Sequence, residues 1–187
     1  AAQVDTPRSA YAQGWFAMMR TLANYYYADG KDREAAITYN SLIKEKPLSP
    51  EAPGFQGRIV DIVLRMGNKE RTVTQVRRLV KIMKEVESSG VIKEDKDKKA
   101  LADAKDLAER TLSNLAVTWH NEGKKTRDEA TFGYADMIYS DYLTLFPDSP
   151  KAYDLRFFWA ELLNDNLQKY DKAAANYTLV VLQDVKQ

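Results

Sequence analysis

Apolar positions along this chain recur every three or four residues, and nowhere do they alternate with period two for long enough to build a strand. The clearest stripe runs through Leu101, Ala104, Ala108, Leu112, Leu115 and Trp119; it predicts a helix over 97–121 whose other face is charged. Further helices are predicted at 9–29, 32–46, 50–66, 69–88, 128–146, 150–166 and 169–185, with breaks at Gly30, Pro47 to Pro50, Gly67-Asn68, Ser88 to Gly90, Gly123 and Pro147 to Pro150. Pro50 and Pro150 each follow a serine. That order suits a helix start, because a serine hydroxyl accepts from a free backbone N–H and proline has no N–H to leave unpaired. The expectation is an all-α chain of eight helices in four hairpins.

Self-similarity is the strongest signal. Ala35, Tyr39 and Leu42 lead to Pro47; Ala135, Tyr139 and Tyr142 lead to Pro147 at the same spacing; Ala173, Tyr177 and Val180 repeat the small, aromatic, aliphatic order. Before the first set, Leu22-Ala23 and Tyr26 precede Gly30. In these offsets the chain resembles the tetratricopeptide repeat (TPR), a helix–turn–helix of about 34 residues. The resemblance implies a right-handed α-solenoid of about four TPR-like hairpins, at 11–47, 50–88, 97–147 and 150–187, in one domain 11–187 behind a flexible segment 1–10. The second unit is degenerate, with Thr72 and Val76 where small and aromatic residues are usual, and the third has a lengthened helix and a turn of about seven residues after Gly123. Within Tyr142 to Leu163, the run Phe146-Pro147-Asp148-Ser149-Pro150 resembles TPR units of bacterial envelope proteins, and Ala152 to Leu163 is similar to TPR proteins of the myxobacterial gliding machinery. That resemblance implies a periplasmic or envelope setting, with the cytoplasm as the alternative. The start at Ala1-Ala2-Gln3 reads as a processed or trimmed chain, and the whole as a fragment of a longer one.

Composition narrows the chemistry. The 187 residues include no Cys and one His, which excludes disulfide frameworks, thiol nucleophiles, Cys-based zinc sites and His-rich metal centres. No phosphate-cradling G-x-x-x-x-G-K-[ST] and no H-E-x-x-H occurs. No apolar run approaches the roughly 18 residues of a membrane span. The lone His120 adjoins Trp119 with no Ser or carboxylate spaced to orient it as a base, so it reads as structural. No cofactor and no metal site is implied.

Charge is balanced overall, at +1, but segregated. Residues 65–84 carry seven cations against Glu70, a net of +6; residues 128–171 carry nine acids and three bases, a net of −6. Arg77, Lys81 and Lys84 share one helical face, suited to an acidic partner or to a plain solvated surface. Nucleic acid is disfavoured by the low net charge and by the lack of aromatics among these cations.

The sharper candidates lie on the first helices of the hairpins. Ala17, Arg20, Asn24 and Tyr27 recur at three or four and are expected to line the concave groove, opposite Leu22 and Tyr26. The second unit offers Gly54, Gly57, Asp61 and Leu64 there, and the glycines are expected to leave the groove floor open. Most of the clustered aromatics, Trp15, Phe16, Tyr25, Tyr26, Tyr27, Phe157, Phe158 and Trp159, are expected in the core. Three adjacent aromatics span about 200° of a helix, so Tyr27 and one of Phe158 or Trp159 should face the groove. The expected function is a non-enzymatic scaffold that holds a peptide segment or partner protein in the groove, in an envelope assembly such as a motility complex, through Arg20, Asn24, Tyr27, Gly57, Asp61, Phe158, Arg77 and Lys81. The rival classes are a carboxylate-based enzyme with a site between repeats and an electrostatic adaptor for an acidic partner.

Overall fold

The computed structural model describes residues 7–184. Eight α-helices and no strand occur among them: α1 (Pro7–Ala28), α2 (Asp32–Glu45), α3 (Ala52–Arg65), α4 (Lys69–Ser88), α5 (Asp95–Thr126), α6 (Glu129–Leu145), α7 (Ala152–Glu161) and α8 (Tyr170–Asp184). A π-helical turn, Leu162–Asn166, extends α7. Of the segment 1–10 expected to be flexible, residues 1–6 lie outside the described residues and 7–10 form the first turns of α1. The chain divides into two compact units, Ala1–Lys105 and Asp106–Gln187.

In the first unit α1 packs on α2, α2 on α3 and α3 on α4. Ala23, Ala35 and Ala52 are fully buried, so neighbouring backbones approach closely around them, and large rings fill the space between. Tyr39 stacks on Phe55 with centroids 5.7 Å apart, and Phe55 tilts against Phe16 at 6.2 Å. The turn after α1 needs a glycine: Gly30 has φ of +70°, and Lys31 N–H returns to Tyr26 C=O at 2.9 Å while Gly30 N–H reaches Tyr27 C=O at 3.3 Å. This left-handed cap satisfies the last carbonyls of the helix at no Cβ cost. The degenerate second unit still fills its interior, with Thr72 and Val76 both buried. Gln56, also buried, donates to Gln75 C=O at 3.1 Å.

In the second unit α6 packs on α7 and α7 on α8, around the fully buried Ala135, Ile138, Tyr139, Tyr142, Leu162 and Leu163. The helix expected to stop at 121 runs on through Gly123 to Thr126, so the expected seven-residue turn is only Arg127 and Asp128. Gly123 is there for closeness and not for a break: a Cβ on it would lie 2.7 Å from the Phe132 ring. Arg127, at φ of +57°, makes the turn, and Asp128 caps α6 by accepting from Ala130 and Thr131 N–H at 3.3 and 3.2 Å.

A local geometry recurs at a spacing of 100 residues. Ser49 Oγ accepts from Glu51 N–H at 3.2 Å ahead of α3, and Ser149 Oγ accepts from Lys151 N–H at 3.2 Å ahead of α7. Ala52 and Ala152, next in line, are both buried. Polar links also recur one repeat length apart: Tyr27 to Asp61 and Asp32 to Arg65 in the first unit, Glu109 to Tyr142 and Asp136 to Lys169 in the second.

Three readings of aromatic burial need correction. Trp15 is 37% exposed, Tyr25 58% and Phe157 39%, although all three were expected in the core. On α1 the positions that meet α2 and α3 are those of Phe16 and Ala23, and Tyr11, Trp15, Met18 and Tyr25 fall on another face, with Tyr11, Gly14, Trp15 and Met18 bordering an apolar hollow of about 430 Å³. The small positions do follow the repeat register: Ala35, Ala135 and Ala173 are all buried. Ala173→Leu is therefore expected to lower unfolding free energy by about 1–3 kcal/mol through overpacking against α7. Denaturant titration checks this, and an unchanged midpoint would mean that α8 is rotated away from α7.

Candidate functional site

The predicted groove residues of the first unit come together, and each holds a partner from another helix or turn. Arg20 projects from α1 to the start of α3, where its Nη1 donates to Glu51 Oε1 at 2.6 Å. Both side chains stay wet, 43% and 39% exposed. They line a cleft of about 440 Å³ together with Ser49, Pro50, Lys96, Asp97 and Ala100, so two cations and two carboxylates share its rim. An ion pair this exposed contributes roughly 0–1 kcal/mol. Its groups are free to exchange one another for a ligand's charges at small cost.

One turn along α1, Asn24 Oδ1 accepts from Tyr39 Oη at 2.8 Å, giving the buried tyrosine hydroxyl an acceptor at the surface. Tyr27 is half-buried and heavily engaged. Its hydroxyl donates to Asp61 Oδ2 at 3.1 Å, and the Arg58 and Arg65 guanidinium carbons lie 4.7 and 5.0 Å from its ring centre. Arg65 in turn forms a two-point pair with Asp32, and Asp61 lies 4.0 Å from Arg58. The hydrogen bonds that Arg65 donates to Asp32 and then to Tyr27 hold its pKa above its ordinary value. Cation–π contacts of this kind contribute about 0.5–1 kcal/mol each at exposed sites. Tyr27 is thus a joint between α1 and α3.

Gly57 is buried and Gly54 exposed, with no atom within 4 Å of a Cβ built on the latter. The floor is open at Gly54 alone, because Gly57 sits on the inward face of α3 between the buried Phe55 and Val60 positions. Arg77 and Lys81 both lie on the exposed side of α4, with Lys81 3.8 Å from Glu85 one turn on. In the second unit Phe158 is 37% exposed and Phe157 39%, their rings 6.2 Å apart and T-shaped. Trp159 turns the other way, its Nε1 donating to Asp136 Oδ1 at 2.7 Å, so Phe158 is the ring that stays outward. Tyr177 closes on Phe157 at 5.9 Å.

His120, expected to be structural, is buried on α5 and repeats the Asn24 contact: its Nδ1 lies 3.2 Å from Tyr139 Oη as Asn24 Oδ1 does from Tyr39. Which of the two donates follows from which ring nitrogen carries the proton. Burial first, then the charge of Lys124, push the His120 pKa down to about 4, against a smaller upward pull from Asn166 and Asp165. Among the described residues no group of three or more acidic or histidine side chains is placed to hold a metal ion, and no helix is long and apolar enough to cross a membrane. Glu51 and Lys96, which share the cleft with Arg20, were not legible beforehand, since nothing in their local sequence separates them from other surface charges.

No protein family matches this chain, and no curated protein matches it.

Proposed function

We propose that this protein is a non-enzymatic binding scaffold of the tetratricopeptide type, a right-handed solenoid that holds a peptide segment or partner protein on its first unit, around Arg20. The observation that carries the reading is the cleft at the start of α3. Its walls are ordinary helix ends, and its rim charges, Arg20, Glu51, Lys96 and Asp97, are weakly held and complementary to a peptide of mixed charge. The repeat register supports the TPR assignment: small Ala35, Ala135 and Ala173 buried, aromatic Tyr39 and Tyr139 set four residues on, and polar links 33 or 34 residues apart. The exposed rings of α1 add amphipathic contact area of the kind that anchors protein interfaces. The envelope setting, and a place in a motility complex, rest on the resemblance of Tyr142 to Leu163 to envelope TPR units.

The test uses Arg20→Glu, because truncating Tyr27 removes a joint between helices as well as a contact. Pull-down from a bacterial envelope extract should retain a defined protein on the wild-type chain and lose at least nine-tenths of it on Arg20→Glu, with the melting curve unchanged. Equal retention by both chains would remove the cleft from the binding surface.

A further inference from the structure

The recurrence at 100 residues sets the positions of α3 against those of α7, and the chemistry of the exposed face changes between them. Arg58 corresponds to Phe158, Asp61 to Glu161 and Arg65 to Asp165. In the first unit these positions form a complete set: two guanidinium groups from the same chain lie on an aromatic ring, and Asp61 and Asp32 accept from the hydroxyl and from Arg65. In the second unit Phe158 and Asp165 stand at the two arginine positions, so the aromatic rings and carboxylates lie on α7 itself and neither arginine is repeated there.

What remains is an aromatic surface ringed by carboxylates. Phe157 and Phe158 are each more than a third exposed, and Tyr177 of α8 packs against the first of them. Asp154 precedes the two rings by three and four residues and Glu161 follows them by four and three, so each carboxylate neighbours both rings on α7. Asp165 follows one further turn on. The Tyr177 hydroxyl feels both, since its pKa is pushed up by burial first and then by Glu161 and Asp165. Among the described residues no cation stands within ion-pair distance of Asp154, Glu161 or Asp165. Two neighbouring cations are committed elsewhere: Lys169 pairs with Asp136 at 2.7 Å, and Arg156 turns inward to donate to Asn176 Oδ1 at 3.3 Å.

We infer that this face of α7 and α8 docks an arginine-bearing segment of a partner protein, whose guanidinium groups stack on Phe157 and Phe158 and donate to Glu161 and Asp165. Charge complementarity selects a cation. The planar rings select arginine over lysine, because a guanidinium stacks flat on an aromatic face while its edge donates to a carboxylate, and an ammonium offers only a point charge. Around Tyr27 the first unit shows the chemistry in this chain, with two guanidinium groups against an aromatic ring beside a carboxylate. This surface goes beyond the cleft around Arg20 and shares no residue with it, although it rests on the reading of the chain as a protein-binding scaffold.

The probe is a blocked peptide of four Gly-Arg dipeptides carrying fluorescein, titrated against the full chain in low salt and followed by anisotropy, with the Gly-Lys analogue in parallel. The arginine peptide should bind the wild-type chain at least fivefold more tightly than the lysine peptide. Phe158→Ala, and separately Glu161→Gln with Asp165→Asn, should each weaken it at least tenfold. Phe158→Arg, which restores the residue of the first unit, should abolish the preference. Phe158→Tyr should retain it, which guards against a variant that merely fails to fold. Arg20→Glu should bind the arginine peptide no more weakly than wild type does, so that failure of the Arg20 cleft and failure of this surface read out separately. Equal affinity for both peptides, or undiminished binding by Phe158→Ala, overturns the proposal. So does sedimentation showing that the chain self-associates through this face and that Phe158→Ala makes it monomeric, for then the occupant is a second copy.

Discussion

Tyr139→Ala is expected to lower the unfolding free energy of the second unit by about 3–5 kcal/mol, the range for deleting a large buried aromatic side chain. The ring is fully buried, packs edge-on to His120 with centroids 5.9 Å apart, and sits beside the close-packed Ala135 and Ile138. Burial first and the Glu161 charge next raise the pKa of its hydroxyl and keep the proton on oxygen. Tyr139→Phe keeps the packing and strips only the hydroxyl, which leaves His120 Nδ1 without that partner. It should cost about 1–3 kcal/mol, the penalty for one unsatisfied buried group. Denaturant unfolding followed by circular dichroism separates the two. Equal costs for Ala and Phe would mean that the hydrogen bond, and not the ring, carries the site.

The second large effect is a dependence on pH. His120 has a folded pKa of about 4 against an unfolded value near 6.5. Above pH 6.5 neither state carries the extra proton, and the buried neutral ring contributes its full stability. As pH falls from 6.5 towards 4 the unfolded chain takes up a proton that the folded chain refuses, so stability declines by up to about 1.4 kcal/mol per pH unit and by about 3 kcal/mol in all. Below pH 4 this contribution levels off, because the folded ring titrates too. His120→Gln, with a side chain of similar reach that does not titrate, should flatten the decline in that window. Unfolding midpoints measured at pH 7, 6, 5 and 4 check it, and a decline of the same slope in the variant would assign the pH dependence to carboxylates instead.

Much of the fold was legible beforehand. The expected helices at 32–46 and 69–88 meet α2 and α4 to within a residue, and the small and aromatic positions Ala35, Tyr39, Ala135 and Tyr139 are all buried. These are local facts: periodic apolar spacing, and a glycine where φ turns positive. The serine–proline starts at 50 and 150 fall two residues early, because Glu51 and Lys151 take the cap positions and α3 and α7 begin at Ala52 and Ala152. The misses share a cause. Gly123 looked like a break because glycine lowers helix propensity, yet α5 continues because Phe132, nine residues away, takes the space a Cβ would fill. Trp15 and Tyr25 looked like core because they are large, yet the rotation of α1 about its axis sends them outward.

The candidate site divides along the same line. Spacing along α1 alone set Arg20, Asn24 and Tyr27 on one face, since three and four residues make a turn. Tertiary packing alone decided that Arg20 meets Glu51, that Tyr27 meets Asp61 between two arginines, and that Phe158 is left without such a cation. Burial periodicity is a property of one helix and survives in a string of letters. A hydrogen bond across 31 or 34 residues depends on how far two helices are rotated and slid against each other, to within a fraction of a turn, and only the packed interior supplies that.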